Sequence, residues 1–139
     1  MQFDIEKRVK VVEAVAEKYQ GRPLVLGSDD CVHMVGFGLK EYGLKVSLLK
    51  YGSYETPAGA RRALKKAGFK SLRDAVPAQG FVEISPSMAW PGDIIAMKSE
   101  DDEDVALAFM ASNGRAFGFW AGHAQYFQPL AFEAAWRVS

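Results

Sequence analysis

The sequence predicts an α+β domain in which helices come first and an antiparallel sheet follows. In the first half, apolar residues recur at helical spacing, with helix-starting residues before them and glycines after them. In the second half, short runs rich in aliphatic and aromatic residues are separated by turn residues, which is typical of strands. Asn113–Gly114, between two such runs, is a strong hairpin signal. This order of elements favours α+β architecture over alternating βα units.

The composition indicates one globular domain over residues 1–139. Hydrophobic residues make up 49% and charged residues 24%, which excludes a disordered chain. Seventeen basic and seventeen acidic residues balance, which argues against general binding to nucleic acid or to anionic membranes. The lone cysteine cannot form an internal disulfide, the first residues are too charged for a signal peptide, and no run is long enough to span a membrane. We therefore expect folding in a reducing cytoplasm.

Helical spacing predicts a first helix over Asp4 to Tyr19, with one apolar stripe facing the core. A third helix is predicted over Thr56 to Gly68, because threonine caps a first turn and the proline after it is tolerated there. Ser71 and Asp74 have capping-box spacing and predict a further short helical turn. The stripe predicted for the first helix consists of Ile5, Val9, Val12, Ala16 and Tyr19.

Five strands are predicted after these helices, and a weakly defined linker is predicted before the third helix, at Val46–Tyr51. The last residues are interpreted as an amphipathic segment, Pro129–Ala135, that leads to Trp136. The predicted strands are Phe81–Ile84, Ile94–Met97, Val105–Met110, Arg115–Trp120 and Gln125–Gln128.

The second helix carries the only cysteine, Cys31. Ser28, Asp29 and Asp30 precede it, and each can cap a first turn. Apolar residues then follow at helical spacing as far as Gly43. Cys31 is therefore expected in the first turn, where the helix dipole favours a thiolate and so activates a nucleophile. The alternative is an inert core cysteine, because neighbouring aspartates repel a thiolate.

A cysteine nucleophile needs a base within reach, and the chain has two histidines. His33 is two residues from Cys31 on the same helix, so its ring should point elsewhere. His123 is predicted in a glycine-flanked loop after the hairpin, from which it can reach back across the fold. Cys31 and His123 are thus the candidate catalytic pair, and the alternative is that His123 is an ordinary surface residue.

The charged residues indicate no metal or cofactor site. The acidic run Glu100–Asp104 lacks the glycine and ligand spacing of a calcium loop and is better interpreted as a solvated loop between strands. No zinc pattern, phosphate loop or dinucleotide fingerprint is present. Nine basic and two acidic residues lie from Lys40 to Arg73, whereas seven acidic and one basic lie from Phe81 to Asp104. This dipolar distribution either steers docking onto partners or reflects two solvated faces.

Three motifs, in this order, resemble those of the NlpC-type cell-wall cysteine peptidases, which have a papain-like α+β fold. They are G-x-x-D-C at Gly27–Cys31, W-P-G-D-I-I-A-M at Trp90–Met97, and V-A-L-A-F-M followed by N-G-R-A-F. In those enzymes an Asp-Cys pair opens the central helix and a His-Val-Gly-Ile motif on a strand supplies the base. The resemblance implies that the Cys31 helix packs on a C-terminal antiparallel sheet.

The position of the base departs from that pattern. Asp104–Val105–Ala106–Leu107 stands where the peptidases have His-Val-Gly-Ile, so the degenerate base position is Asp104. An aspartate is a poor base, and its negative charge raises the pKa of a nearby thiol. The resemblance therefore implies a preserved scaffold with an incomplete catalytic set.

The whole chain is similar to a branch of this superfamily from tailed bacteriophages and prophages, through the Asp-Cys helix, the Tyr54–Gly68 segment, Gly92–Asp93 and the closing Ala134–Val138. Members are encoded among tail genes, which implies a virion protein of the tail tip, made in the host cytoplasm and docked on tail hub or distal tail proteins without catalysis. The alternative is an active cysteine peptidase that cleaves peptidoglycan peptides during phage entry. A bacterial protein unconnected with phage also stays open.

Overall fold

The computed structural model describes residues 4–45, 54–99, 104–129 and 131–138, and these form four α-helices, a six-stranded antiparallel sheet and short 3-10 turns. The predicted linker Val46–Tyr51 and most of the acidic run Glu100–Asp104 lie outside the described residues. The helices are α1 Ile5–Tyr19, α2 Cys31–Glu41, α3 Pro57–Lys66 and α4 Leu72–Ala75; the strands are β1 Val82–Ile84, β2 Ile94–Lys98, β3 Val105–Met110, β4 Ala116–Trp120, β5 His123–Phe127 and β6 Ala134–Arg137.

Each helix begins where a short polar side chain caps it. The capping oxygen accepts a hydrogen bond from a backbone N–H of the first turn that has no partner within the helix. Asp30 is the cap of α2 and is the last of the three residues that the sequence offered. The other three caps are Asp4 for α1, Thr56 for α3 and Ser71 for α4, which confirms the predicted helix starts.

The buried face of α1 differs from the predicted stripe. Val12, Ala16 and Tyr19 of the predicted stripe are buried, whereas Ile5 is 44% exposed and Val9 is only half-buried. Val11 and Val15, outside the stripe, are buried as well. The reason is Arg8, whose guanidinium turns inward and donates to the buried carboxylate of Asp93. Because this ion pair lies under α1, the helix presents to the core the face that contains Arg8.

The strand order in the sheet is β1-β6-β2-β3-β4-β5, and every neighbouring pair is antiparallel. Strands β2 to β5 form the predicted meander, and Asn113 and Gly114 both have positive φ in the β3–β4 hairpin. The amphipathic segment Pro129–Ala135 was not predicted to enter the sheet, but β6 begins at Ala134 and is inserted between β1 and β2. Three of its four residues are buried, so β6 lacks the alternation that marks a half-exposed strand.

The core lies on both faces of the sheet. Alternate residues of β2 and β3 point to opposite faces, so Ile94 and Phe109 pack against the helices while Ile95 and Ala108 pack on the far side. Helices α1 and α2 cover the first face, and α2 fits closely because Gly38 leaves room for the Phe109 ring. No helix of the described part of the chain is long and apolar enough to cross a membrane.

Candidate functional site

Cys31 is the first residue of α2, and it lies in the wall of a cavity of about 280 Å³. The cavity is bounded by the start of α2, one face of α3, the ends of β2 and β4, and the start of β3. Its wall is mostly apolar, and Asp30, Tyr54 and Asp104 are among its few polar residues. The fold therefore brings together two segments that are far apart in sequence, the Asp-Cys helix start and Asp104 at the start of β3.

Asp30 organises the segment before Cys31. Its buried carboxylate accepts hydrogen bonds from the backbone N–H groups of Gly27 and His33, from the Tyr54 hydroxyl at 2.8 Å, and from Nδ1 of the His33 ring at 2.7 Å. Burial acts to raise the pKa of Asp30, but these hydrogen bonds outweigh it, and the pKa is lowered from its ordinary value. Asp30 is thus a charged structural centre that holds the turn, the helix and Tyr54 together.

Gly27 is required for this arrangement. Its φ is +88°, and a Cβ at this position would lie 1.9 Å from the carbonyl oxygen of Tyr54. Only glycine allows both the left-handed backbone and this close approach of two chain segments. The glycine of the G-x-x-D-C motif therefore serves packing against Tyr54.

The surroundings of Cys31 disfavour a thiolate. Burial raises the pKa of the Cys31 thiol to about 12, and the negative charges of Asp30 and Asp104 act in the same direction. The backbone N–H of Leu107 on β3 acts to lower it and only partly compensates. A thiol with this pKa is protonated at neutral pH, so the expected benefit of the helix dipole is outweighed by burial and repulsion.

Asp104 uses both carboxylate oxygens in backbone hydrogen bonds. Oδ2 accepts from the N–H of Leu72, the first residue of α4, at 2.8 Å, and Oδ1 accepts from the N–H of Val105 at 2.7 Å. The carboxylate therefore ties the start of β3 to the start of α4. This is a structural role in the place where the peptidase pattern has its base.

Neither histidine is among the described residues that line the cavity beside Cys31. His123 is the exposed first residue of β5 and not a loop residue as predicted, because Ala121 and Gly122 make a two-residue turn with positive φ. Its Nε2 is 3.2 Å from Nε2 of Gln125, and it is not among the cavity-lining residues in the described part of the chain. His33 is held by Asp30. The catalytic roles of Cys31 and His123 stay predictions.

Tyr54 and the Leu107 N–H are parts of this site that sequence reasoning missed. Tyr54 is 24 residues from Asp30, and nothing in the spacing indicates that its hydroxyl reaches this carboxylate. A backbone donor such as Leu107 leaves no signal in side-chain identity at all. Among the described residues, no group of three or more His, Cys, Asp or Glu side chains is placed to hold a metal ion.

The fold is similar to that of a Staphylococcus aureus subsp. aureus Mu50 protein described as similar to lipoprotein, NLP/P60 family. The TM-score is 0.66 at 22% sequence identity, over 99% of this chain and 43% of that one. The chain thus spans less than half the length of that protein. This likeness, with the helices and antiparallel sheet described above, confirms the predicted α+β, papain-like and NlpC-like fold.

A search among curated proteins gives no match. A protein family, by contrast, matches residues 5–138, nearly the whole chain. Its description is "Domain of unknown function (DUF6950)". The chain therefore belongs to the DUF6950 family, on an NlpC-like fold.

Proposed function

We propose that this chain is a peptidase-like subunit that does not cleave peptides and that acts as a structural, docking component of a bacteriophage tail tip. The observation that carries the loss of catalysis is the environment of Cys31, whose thiol lies near two carboxylates and is held protonated. The placement in a phage tail is supported by the ordered set of sequence motifs, which resembles the phage branch of the superfamily.

Peptide hydrolysis by a cysteine requires a thiolate and an imidazole that later protonates the leaving amine. Asp104 cannot replace this imidazole, because a carboxylate is a poor base and both its oxygens already accept backbone hydrogen bonds. The elements that a peptidase uses to place its base therefore hold α4 against the sheet. A docking subunit needs only such rigidity and a complementary surface.

An active cysteine peptidase is the second candidate function, and one observation favours it. The Cys31 side chain lies in a cavity wall at a helix start, and the backbone N–H of Leu107 acts to lower the pKa of its thiol. Such backbone donors can stabilise an oxyanion. This candidate requires His123, or another base, to reach the sulfur in the functional state.

The infectivity of phage that carry Cys31→Ala distinguishes the docking function from the peptidase function. We expect infectivity within about threefold of the parent, while deletion of the gene abolishes plaque formation and mass spectrometry finds the chain in purified virions. Two controls are measured. The first is the infectivity of phage with Cys31→Ser, which keeps a polar atom, and the second is the cleavage of purified muropeptides by the unmodified protein. Loss of infectivity in a stably folded Cys31→Ala variant, or muropeptide cleavage that Cys31→Ser abolishes, would contradict the proposal.

A further inference from the structure

The cavity beside Cys31 is left unfilled because α3 presents small residues to it. Of the ten residues of α3 only Leu64 is buried. Ala60, Ala63 and Ala67 also line the cavity, at the spacing that puts them on one helix face. Short side chains on this face leave about 280 Å³ between the helix and the sheet. A mostly apolar wall of this kind favours apolar groups, since filling the space restores lost contacts.

The acidic groups and the hydroxyl of the wall are already engaged within the protein. Asp30 accepts four hydrogen bonds, one of them from the Tyr54 hydroxyl, and Asp104 accepts two. A polar or charged group that entered the cavity would find few further partners beyond the side chains of Arg61, Lys98 and Ser99. The apolar part of the wall therefore favours an uncharged apolar group.

The apolar surface continues out of the cavity. Leu24 lines the cavity and is 45% exposed, and the next residue, Val25, is 47% exposed. A small molecule inside the cavity would leave both side chains in water. A protein segment that inserts side chains and then runs across the rim would cover them, as interface anchors do.

The charges around the cavity differ from one side to the other. Helix α3 has no acidic residue, and Arg62, Lys65 and Lys66 are exposed along it. Across the cavity from α3, the described wall contains both an acidic residue, Asp104, and a basic one, Lys98. Acidic residues on one side of a partner's apolar residues therefore complement α3.

We propose that this cavity is the docking site for a segment of a partner protein, which inserts apolar side chains beneath α3 and places acidic residues over its basic face. The inference rests on the proposed docking function and names the site and the partner chemistry for it. Two adjacent aliphatic side chains are the expected anchors, because the wall offers depth and few free polar groups.

The test uses the full chain and a fluorescein-labelled hexapeptide of two aspartates, two leucines and two serines, with fluorescence anisotropy as the readout. We expect saturable binding that Ala63→Leu weakens about tenfold or more, because the longer side chain occupies the cavity. Ala58→Leu is the matched control, since Ala58 is exposed on the same helix outside the cavity wall, and it should leave binding unchanged. Thermal unfolding of both variants shows that each is folded.

Charge is tested with Lys65→Glu against Lys10→Glu on α1. The first should weaken binding roughly two- to fivefold, as expected for exposed charge pairs, and the second should not. Absence of binding, equal binding of a peptide with lysines in place of the aspartates, or uptake of toluene without uptake of the peptide would each overturn the proposal. These outcomes are independent of the infectivity of Cys31→Ala, so failure of this inference and failure of the proposed function are distinguishable.

Discussion

At the scale of single residues, the site is governed by a buried carboxylate, Asp30, and a partly buried thiol, Cys31, with opposite tendencies. Asp30 stays charged because four hydrogen bonds compensate for its burial. Cys31 stays neutral because the Leu107 N–H compensates only in part and two carboxylates are near. The same negative charge that caps α2 thus disfavours the thiolate at its first residue. Structural stability and nucleophilicity are in conflict at this helix start.

Asp30→Asn should lower the free energy of unfolding by about 1.5–3 kcal/mol at pH 7, because an amide cannot accept all the bonds that the carboxylate accepts. The folded-state pKa of Asp30 lies below its ordinary value, so its stabilising contribution is present above that value and is lost as the pH falls through the folded pKa. Urea unfolding of wild type and variant should therefore converge at acid pH.

The matched control for this variant is Asp29→Asn, which touches only a partly exposed pair with Arg22 at 3.4 Å. It should change stability by less than about 1 kcal/mol. A difference between Asp30→Asn and wild type that stays constant down to pH 3 would show that the carboxylate charge is not what stabilises this turn.

At the scale of elements, α2 packs across β3 through one close contact. A Cβ on Gly38 would lie 2.4 Å from the ring of Phe109, which is fully buried. Gly36 lies on the same helix, and a Cβ there would meet nothing within 4 Å. Gly38 is therefore needed for the packing of α2 on Phe109, whereas Gly36 is not, although both lie in the same helical run of the sequence.

Gly38→Ala should destabilise the protein by about 1–3 kcal/mol, because overpacking outweighs the gain in helix propensity. Gly36→Ala should be neutral or stabilise by up to about 1 kcal/mol, since it gains propensity without a clash. Chemical denaturation of both variants checks this pair. Equal effects at the two positions would contradict the packing of α2 on Phe109.

Local signals in the sequence sufficed for the helix starts and for four strands, because capping residues and hairpin glycines act within a few residues. They did not predict that β6 is a strand or that His123 lies in β5, because both assignments depend on pairing with other strands of the sheet. Strand β6 is defined by pairing with β1 and β2, which no local pattern encodes. The α1 stripe was predicted correctly for Val12, Ala16 and Tyr19 but not for Ile5 and Val9. The buried face also contains Arg8, a charged residue that pairs with Asp93. Tyr54 and Leu107 are far from Cys31 in the sequence, and only the tertiary fold brings them to the site.

At the scale of the whole molecule, one buried carboxylate ties the two ends of the chain to the sheet. Asp93 is fully buried and accepts hydrogen bonds from Arg8 on α1, from Arg137 on β6 at 2.9 Å, and from the N–H of Val138 at 3.0 Å. Arg8 also donates to the carbonyl oxygen of Val138. The aspartate of the Pro-Gly-Asp element therefore closes the fold rather than serving the cavity at Cys31.

Asp93→Asn should lower the free energy of unfolding by about 3–5 kcal/mol, because it leaves the guanidinium of Arg8 buried without its counter-charge. Glu83→Gln is the control, since it breaks an exposed pair with Arg73 and should cost less than about 1 kcal/mol. Thermal and urea unfolding measure both. A cost for Asp93→Asn no larger than that of the control would show that this network does not close the fold.

The claim that the fold is kept while catalysis is lost depends most directly on the ionisation of Cys31, the only cysteine of the chain. The decisive measurement is the rate of alkylation by iodoacetamide from pH 6 to pH 9.5 in the folded protein. A thiol pKa of about 12 predicts a rate that rises about tenfold per pH unit without levelling, and that is roughly a thousandfold below free cysteine at pH 7.5. A rate that levels off near pH 7 would show a reactive thiolate and contradict the account.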